Sequence, residues 1–310
     1  VQLSVIIPCF NAQNTLPECI GALLRAAIPG ETQLVFVDDA STDKTAEILT
    51  ENLRDVPDAT IRHHTARRGV SASRNDGLNA ATGEFVAFCD ADDFVEKEIY
   101  RKLLNAITTA DADAAVCAFY RGKKILHPLH AATGKEYIAR QMPSIEFNSC
   151  WNKLYRRDII KTHSLTFDEK FVTAEDLLFN VQYLLAAQRL AILDDALYHY
   201  EENPFSATAR ETPEKAKSSV AAAWEVDSLL ADDCAFDQAR CRLLTDALMT
   251  TLRADGFTID DTRQLLAGLP ANFWRDARFG TLKQSVLHLA AYAPRLTRCL
   301  VRKLKAKKNN

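Results

Sequence analysis

Three acids in four positions, Asp90-Ala91-Asp92-Asp93, follow directly on the apolar run FVAFC. Their mutual repulsion is costly unless a cation compensates it. Hard carboxylate oxygens select Mg2+ or Mn2+, ions that keep positions open for substrate phosphates. Acids in the first turn of a helix would account for the same residues, so their place in the fold has to decide. A second acidic pair, Asp38-Asp39, closes the run QLVFVD, where carboxylates can accept hydrogen bonds from a base N–H or from ribose hydroxyls. Capping of the following helix suits Ser41 or Asp43 better than Asp38. Arg74, in SASRNDG, could pair with phosphate or with one of the 90–93 acids, and could equally be a surface arginine.

Further along, Glu175-Asp176 opens a helical pattern after KFVTA. The helix dipole alone favours acids there, but a metal-bound sugar nucleotide also needs a general base for an acceptor hydroxyl. His199, in LYHY, could complete a metal shell or touch a diphosphate. The loop at residues 8–14 contains no glycine, which disfavours a GxGxxG cradle and with it NAD or FAD.

Positioning these groups falls to alternating strand and helix patterns. LSVIIP, QLVFVD, TIRHH and EFVAFC read as strands, with helices from about Asn14, Asp43 and Val70 between them. That order predicts a doubly wound parallel sheet, with function at the carboxyl ends of its strands. From residue 111 to about 205 the pattern changes: a strand at AAVCAF, then WNKLYRRDII, a helix through EDLLFNVQYLL, and a strand at LAILDDALYHY. Residues 1–110 are thus expected to be a nucleotide-sugar half and 111–210 an acceptor half, and 211–310 read as a helical domain ending in a basic tail.

Composition narrows the classes. The chain has 310 residues, 47% hydrophobic and 25% charged, with only 10 glycines and 10 prolines, which excludes disordered, collagen-like and repeat architectures. Its eight cysteines form no CxxC pair and several sit in apolar runs, as reduced core thiols of a cytoplasmic protein do. No run reaches the roughly 18 apolar residues of a membrane span. After Asp276 there are basic residues and no acid. Arg295, Arg298, Arg302, Lys303, Lys305, Lys307 and Lys308 alternate with Leu296, Leu300, Val301 and Leu304. That spacing suits a helix lying on an anionic membrane surface, and equally a solvated tail or a helix packed on its own domain; no nucleic-acid motif is present.

Taken together, SVIIPCFNAQNTL, FVDDASTD, SASRNDGLNAATGEF and FCDADDF resemble the nucleotide-binding half of glycosyltransferase family 2, inverting enzymes of GT-A fold. The likeness continues through CWNKLYRRDII, AEDLLFN and LYHY, and so covers about residues 3 to 210. It implies an α/β fold with a GT-A type doubly wound mixed sheet and a C-terminal helical accessory domain. It implies that Pro8, Phe10 and Asn11 line the nucleotide pocket, that Asp39 holds the base with help from Asp38, and that Arg74, Asp90 and Ala91 lie at the donor. Asp92 would be the principal ligand of Mn2+ or Mg2+, with His199 near the metal or diphosphate. Asp176 would be the catalytic base, Glu175 would orient donor sugar or acceptor, and Asn152 and Lys153 would face the site from the acceptor half. Phe94 stands where family members often carry tryptophan.

The activity so implied is transfer of a hexosyl or N-acetylhexosaminyl unit, with inversion, from a nucleotide-diphosphate sugar, UDP-linked by preference. The acceptor would be a hydroxyl of a glycan or lipid-linked molecule, as in bacterial surface polysaccharide or lipooligosaccharide synthesis, at the cytoplasmic face of the membrane. Two other functions fit a nucleotide fold with a metal: a sugar nucleotidyltransferase, which usually has a glycine-rich basic loop after the first strand, and a non-catalytic sugar-nucleotide-binding scaffold.

Overall fold

Buried apolar residues on both faces of β1 (Leu3–Cys9) make it the central strand of the first half. After it come α1 (Leu16–Ala26), β2 (Thr32–Asp38), α2 (Thr45–Leu53), β3 (Ala59–His63), α3 (Val70–Ala80) and β4 (Phe85–Phe88). The second half runs β5 (Phe94–Val95), α4 (Ile99–Thr109), β6 (Ala114–Arg121), β7 (Lys124–Leu126), α5 (Gly134–Gln141), α6 (Ile145–Asn148), β8 (Lys153–Arg156), α7 (Arg157–Thr162), α8 (Glu175–Ala186) and β9 (Leu190–Tyr200). Helices α9 (Pro213–Leu230), α10 (Asp237–Arg253) and α11 (Ile259–Ala267) complete the elements. The structure, a computed structural model, describes residues 1–201 and 212–269 together with Ala290, Thr297 and Val301.

All strands join one sheet in the order β3-β2-β1-β4-β8-β6-β9-β5, with β7 on the flank of β6. The first four are parallel to one another. Strand β8 pairs antiparallel with both β4 and β6, so it is the seam between a parallel and a mixed half. The sheet is therefore mixed. WNKLYRRDII carries this seam strand, which the sequence pattern leaves unassigned because four residues are too few to show a period.

The two faces of β1 settle where the helices go. Leu3, Val5 and Ile7 share a core with Leu16, Cys19, Ile20 and Leu23 of α1 and with α4. Ile6 points the other way, onto α3, where Gly77 leaves it room: a Cβ at Gly77 would lie 2.2 Å from Ile6 Cγ2. Phe88 of β4 faces the same side, edge-on to Phe179 of α8 at 6.1 Å. Helices α3 and α8 thus cover the same face of the sheet.

The chain divides into two compact units, Val1–Ala209 and Arg210–Asn310. In the second, α10 anchors Arg240 in a buried ion pair with Asp227 of α9 at 2.8 Å. The basic residues of the C-terminal tail, with Leu296, Leu300 and Leu304, lie outside the described residues. Val301, one of the apolar residues expected to suit a membrane surface, is buried beside Leu252 and Ala290 of its own unit. Among the described residues no helix is long and apolar enough to cross a membrane. The cysteines described are all free thiols, and all but Cys234 are buried.

Candidate active site

Carboxylates from two separate stretches, the 90–93 turn and the start of α8, converge on Arg74 of α3. Arg74, buried on α3, donates from Nη1 to Glu175 Oε1 at 2.6 Å and from Nη2 to Asp90 Oδ1 at 3.1 Å. Its guanidinium lies 5.2 Å over the ring of Phe167, which stacks on Phe179 at 4.2 Å. Asn75, the next residue, clamps the Phe167 backbone by one bond in each direction, both 2.8 Å. Burial opposes the charge on Arg74, but Cys150, Asp90, Glu175 and Asp176 outweigh it and hold the group well above its ordinary range. Arg74 is a buried charge with a buried counter-charge in Glu175 and a half-buried one in Asp90, which a surface arginine is not.

Asp176 sits beside this pair at the start of α8, a helix entered through Ala174 in the left-handed region at φ 65°. Its Oδ1 accepts the Leu177 amide at 2.8 Å. Burial, reinforced by the charge of Glu175 and opposed by that of Arg74, pushes the half-buried Asp176 carboxyl up to about 7. A carboxylate tuned to neutrality is what a general base for a hydroxyl requires.

On the nucleotide side, the 8–14 and 40–45 loops are laced together. Asn11, at φ 49°, receives the Thr42 amide on Oδ1 at 2.8 Å and gives its own amide to Ser41 Oγ at 3.0 Å. The Ala12 amide goes to Thr45 Oγ1 and that of Gln13 to Asp43 Oδ2. These amides are taken by side chains, so the glycine-free loop cannot serve as a phosphate cradle. Pro8 is half-buried at the end of β1, and Phe10 is exposed with the Arg67 guanidinium 4.1 Å above its ring.

Asp38 and Asp39 are both buried. Asp38 accepts the Ser41 amide at 3.2 Å and faces His63 Nδ1 at 3.2 Å. Asp39 accepts the amides of Arg68 and Gly69, each at 2.7 Å, and His64 Nδ1 at 2.7 Å. His64, whose Nε2 lies 2.9 Å from Asp76, joins two carboxylates and was given no role by its sequence context. Asp39 therefore shapes the 64–69 turn.

In the 90–93 turn, Asp90 and Asp92 are half-buried and Ala91 is buried. Asp93 is buried, with Oδ2 receiving the Tyr198 hydroxyl at 2.7 Å and Oδ1 the Glu201 amide at 2.8 Å. His199 lies between the rings of Phe94 at 4.3 Å and Tyr120 at 4.4 Å, with Nε2 2.8 Å from Glu96. To offer Nε2 to a metal it would have to leave Glu96.

Asn152 and Lys153 do not face a solvent-accessible site: both are completely buried. Lys153 Nζ donates to the carbonyls of Glu146 and Phe147 at 3.0 Å and to Asn152 Oδ1 at 2.8 Å. The Asn152 amide binds the carbonyls of Cys117 and Glu146. The last carbonyls of α6 have no helical donors, and these two side chains supply them. Burial lowers the Lys153 ammonium to about 7. Asn180 of α8, which the motifs did not single out, donates to Asn148 O at 2.7 Å and accepts the Tyr155 hydroxyl at 2.7 Å.

Residues 4–164, more than half the chain, match the family model described as Glycosyl transferase family 2. The chain belongs to glycosyl transferase family 2. A search of curated proteins finds it 31% identical over 218 residues to the uncharacterized glycosyltransferase EpsJ of Bacillus subtilis, covering 66% of this chain and 62% of EpsJ. It is 28% identical over 220 residues to the poly(ribitol-phosphate) beta-N-acetylglucosaminyltransferase TarS of Staphylococcus aureus, covering 69% of this chain and 38% of TarS. This family 2 chain thus matches less than two thirds of the length of either relative. Among solved structures, S. aureus TarS 1–349 with UDP-GlcNAc superposes with TM-score 0.74 at 22% identity, covering 99% of this chain and 92% of that one. The mannosyltransferase PcManGT of Pyrobaculum calidifontis, with GDP-Man and Mn2+, gives TM-score 0.58 at 16% identity, covering 98% and 84%. The fold is of the GT-A type, an α/β mixed sheet followed by a helical C-terminal region.

Among the described residues of this family 2 chain, no group of three or more His, Cys, Asp or Glu is arranged to hold a metal ion. In the turn, Asp93 is engaged by Tyr198 and Glu201, Asp90 Oδ1 takes Arg74 at 3.1 Å, and Asp92 is half-buried beside them. One or two carboxylates completed by substrate phosphates is how Mg2+-like ions are commonly held. These residues therefore fit a metal that arrives on a diphosphate, and not a cage built from the chain alone.

Proposed function

We propose that the chain is an inverting glycosyltransferase, moving a hexosyl or N-acetylhexosaminyl unit from a UDP-sugar to a hydroxyl of a glycan or lipid-linked acceptor. The observation that carries this reading is Arg74, which joins Asp90 to Glu175 and so ties the donor-side turn to the helix bearing Asp176. TarS is a poly(ribitol-phosphate) beta-N-acetylglucosaminyltransferase, which supports a surface polymer rich in free hydroxyls as the acceptor class.

Asp176 takes the proton of the acceptor hydroxyl as that oxygen attacks the anomeric carbon from the side opposite the diphosphate. The new C–O bond forms, the bond to the diphosphate breaks with its electron pair on the phosphate oxygen, and the anomeric configuration inverts. Glu175, held by Arg74, orients donor sugar or acceptor. Asp92, with Asp90, would hold Mn2+ or Mg2+, which when bound would supply positive charge against the leaving diphosphate. His199 could join it only by releasing Glu96. Asp39 and Phe10 line the base end of the pocket.

The test is binding and slow hydrolysis of UDP-GlcNAc, UDP-Glc and GDP-Man, each with and without Mn2+. A metal-dependent thermal shift with a UDP-sugar, lost in Asp92→Asn, is expected. Metal-independent binding unchanged by Asp92→Asn would refute the metal assignment. Binding without hydrolysis or transfer to any polyol-phosphate or glycan acceptor would favour a scaffold.

A further inference from the structure

We infer that Tyr198 is a positioning residue for the donor site, its hydroxyl spanning the 90–93 turn so that Asp90 and Asp92 are presented together. This rests on the donor reading above, and it assigns the role to the neighbour of the histidine that the LYHY pattern brings forward. Successive strand residues point to opposite faces. His199 faces Phe94 and Tyr120, its register partners on β5 and β6, so Tyr198 faces the other way. There its ring stacks on Trp151 at 4.3 Å and 13°.

A fully buried phenol must find partners for its hydroxyl, and this one finds both ends of a single turn. It accepts the Asp90 amide at 3.1 Å and donates to Asp93 Oδ2 at 2.7 Å. The Asp93 amide closes the turn on Asp90 O at 3.2 Å. Asp93 Oδ1 takes the Glu201 amide, so both its oxygens are occupied by β9 and the residue after it. Thr15, the residue that precedes α1, donates from Oγ1 to Ala91 O at 2.9 Å.

Three acids in four positions would otherwise repel one another and fan out. Tying Asp93 inward to Tyr198 fixes the backbone of the turn that also carries Asp92 and Asp90, whose Oδ1 takes Arg74. The acceptor-half motifs WNKLY and LYHY thereby set the geometry of the donor half, through Trp151 and Tyr198.

Tyr198→Phe removes one oxygen and keeps the ring and its stacking. The control is Tyr183→Phe, another buried hydroxyl of the same sheet unit, which donates to Asp113 O at 2.6 Å and accepts the Arg156 amide at 2.8 Å, away from the turn. Calorimetric titration with UDP plus Mn2+ is the primary readout, and KM and kcat for the UDP-sugar the second. Tyr198→Phe should weaken UDP–Mn2+ binding about tenfold and raise KM in step, with kcat within about twofold, whereas Tyr183→Phe should lose stability with wild-type binding. Wild-type affinity in Tyr198→Phe, or equal weakening in both variants, would overturn the proposal. If Tyr198→Phe does not fold, Asp93→Asn swaps one acceptor oxygen for an amide donor, breaking one of the two bonds of Asp93 to Tyr198 and Glu201, and should weaken binding about threefold; no change would overturn it. A wild-type protein that binds no UDP at all overturns the donor reading itself.

Discussion

Replacing Asp176 by asparagine should abolish transfer and stabilise the protein, by an amount that depends on pH. The folded carboxyl is raised to about 7 from the 3.8 of an unperturbed aspartate. At about 1.4 kcal/mol per pH unit, ionising Asp176 in the native state costs about 4 kcal/mol above pH 7. Because the folded value is the higher one, the native state holds more protons than the unfolded state between about pH 4 and 7. Stability contributed by this group therefore falls as pH rises through that window and levels off above it. The asparagine cannot ionise, keeps an oxygen for the Leu177 amide, and avoids the cost. Urea unfolding of wild type and Asp176→Asn at pH 5, 6, 7 and 8 should show the variant's advantage growing with pH toward about 4 kcal/mol as an upper bound. Transfer by the wild type should fall in acid with a midpoint near 7, so that about a tenth of the plateau rate remains at pH 6. An advantage that does not vary with pH would refute the raised carboxyl, and full activity in Asp176→Asn would refute its role as base.

Two further perturbations probe how the site is held. Arg74→Ala strands Glu175, a buried carboxylate that loses its 2.6 Å partner, and should cost about 3–5 kcal/mol at pH 8; thermal melts should recover in acid as stranded carboxylates protonate, and a pH-independent loss would count against the ion pair. Gly77→Ala pushes α3 off β1 against Ile6 Cγ2 and should cost about 1–3 kcal/mol while weakening donor binding through Arg74, one turn away. Adding Ile6→Ala should restore donor binding by removing the clash, while losing core burial of its own; a double variant that binds no better than the single would show that the clash is not the cause.

Much of the donor half was legible in the chain. Strands β1, β2 and β4 are predominantly apolar runs four to seven residues long, each followed by a polar cluster, and that arrangement places Asp39, Asp90 and Asp92 at strand ends without any coordinates. Glu175 and Asp176 were legible as helix-opening acids, but nothing local distinguishes an acid held by a dipole from one that pairs with an arginine 101 residues away. The acceptor half was harder. β8 is four residues long, and β9 carries Asp194 and Asp195 in a bulge that breaks its alternation, so period-based reasoning has little to grip.

The motif residues Asn152, Lys153 and His199 show where local pattern stops. A polar residue in a loop-like motif reads as facing a substrate, yet Asn152 and Lys153 turn inward because the end of α6 needs donors. Which of Tyr198 and His199 faces Asp93 depends on the phase of a strand, a matter of one residue that register with β5 and β6 sets. The residue types capable of the chemistry, and their order along the chain, belong to the sequence itself. Their charge state, partners and direction were decided only by tertiary structure, because burial, long-range ion pairing and strand register arise when segments far apart in the chain are packed together.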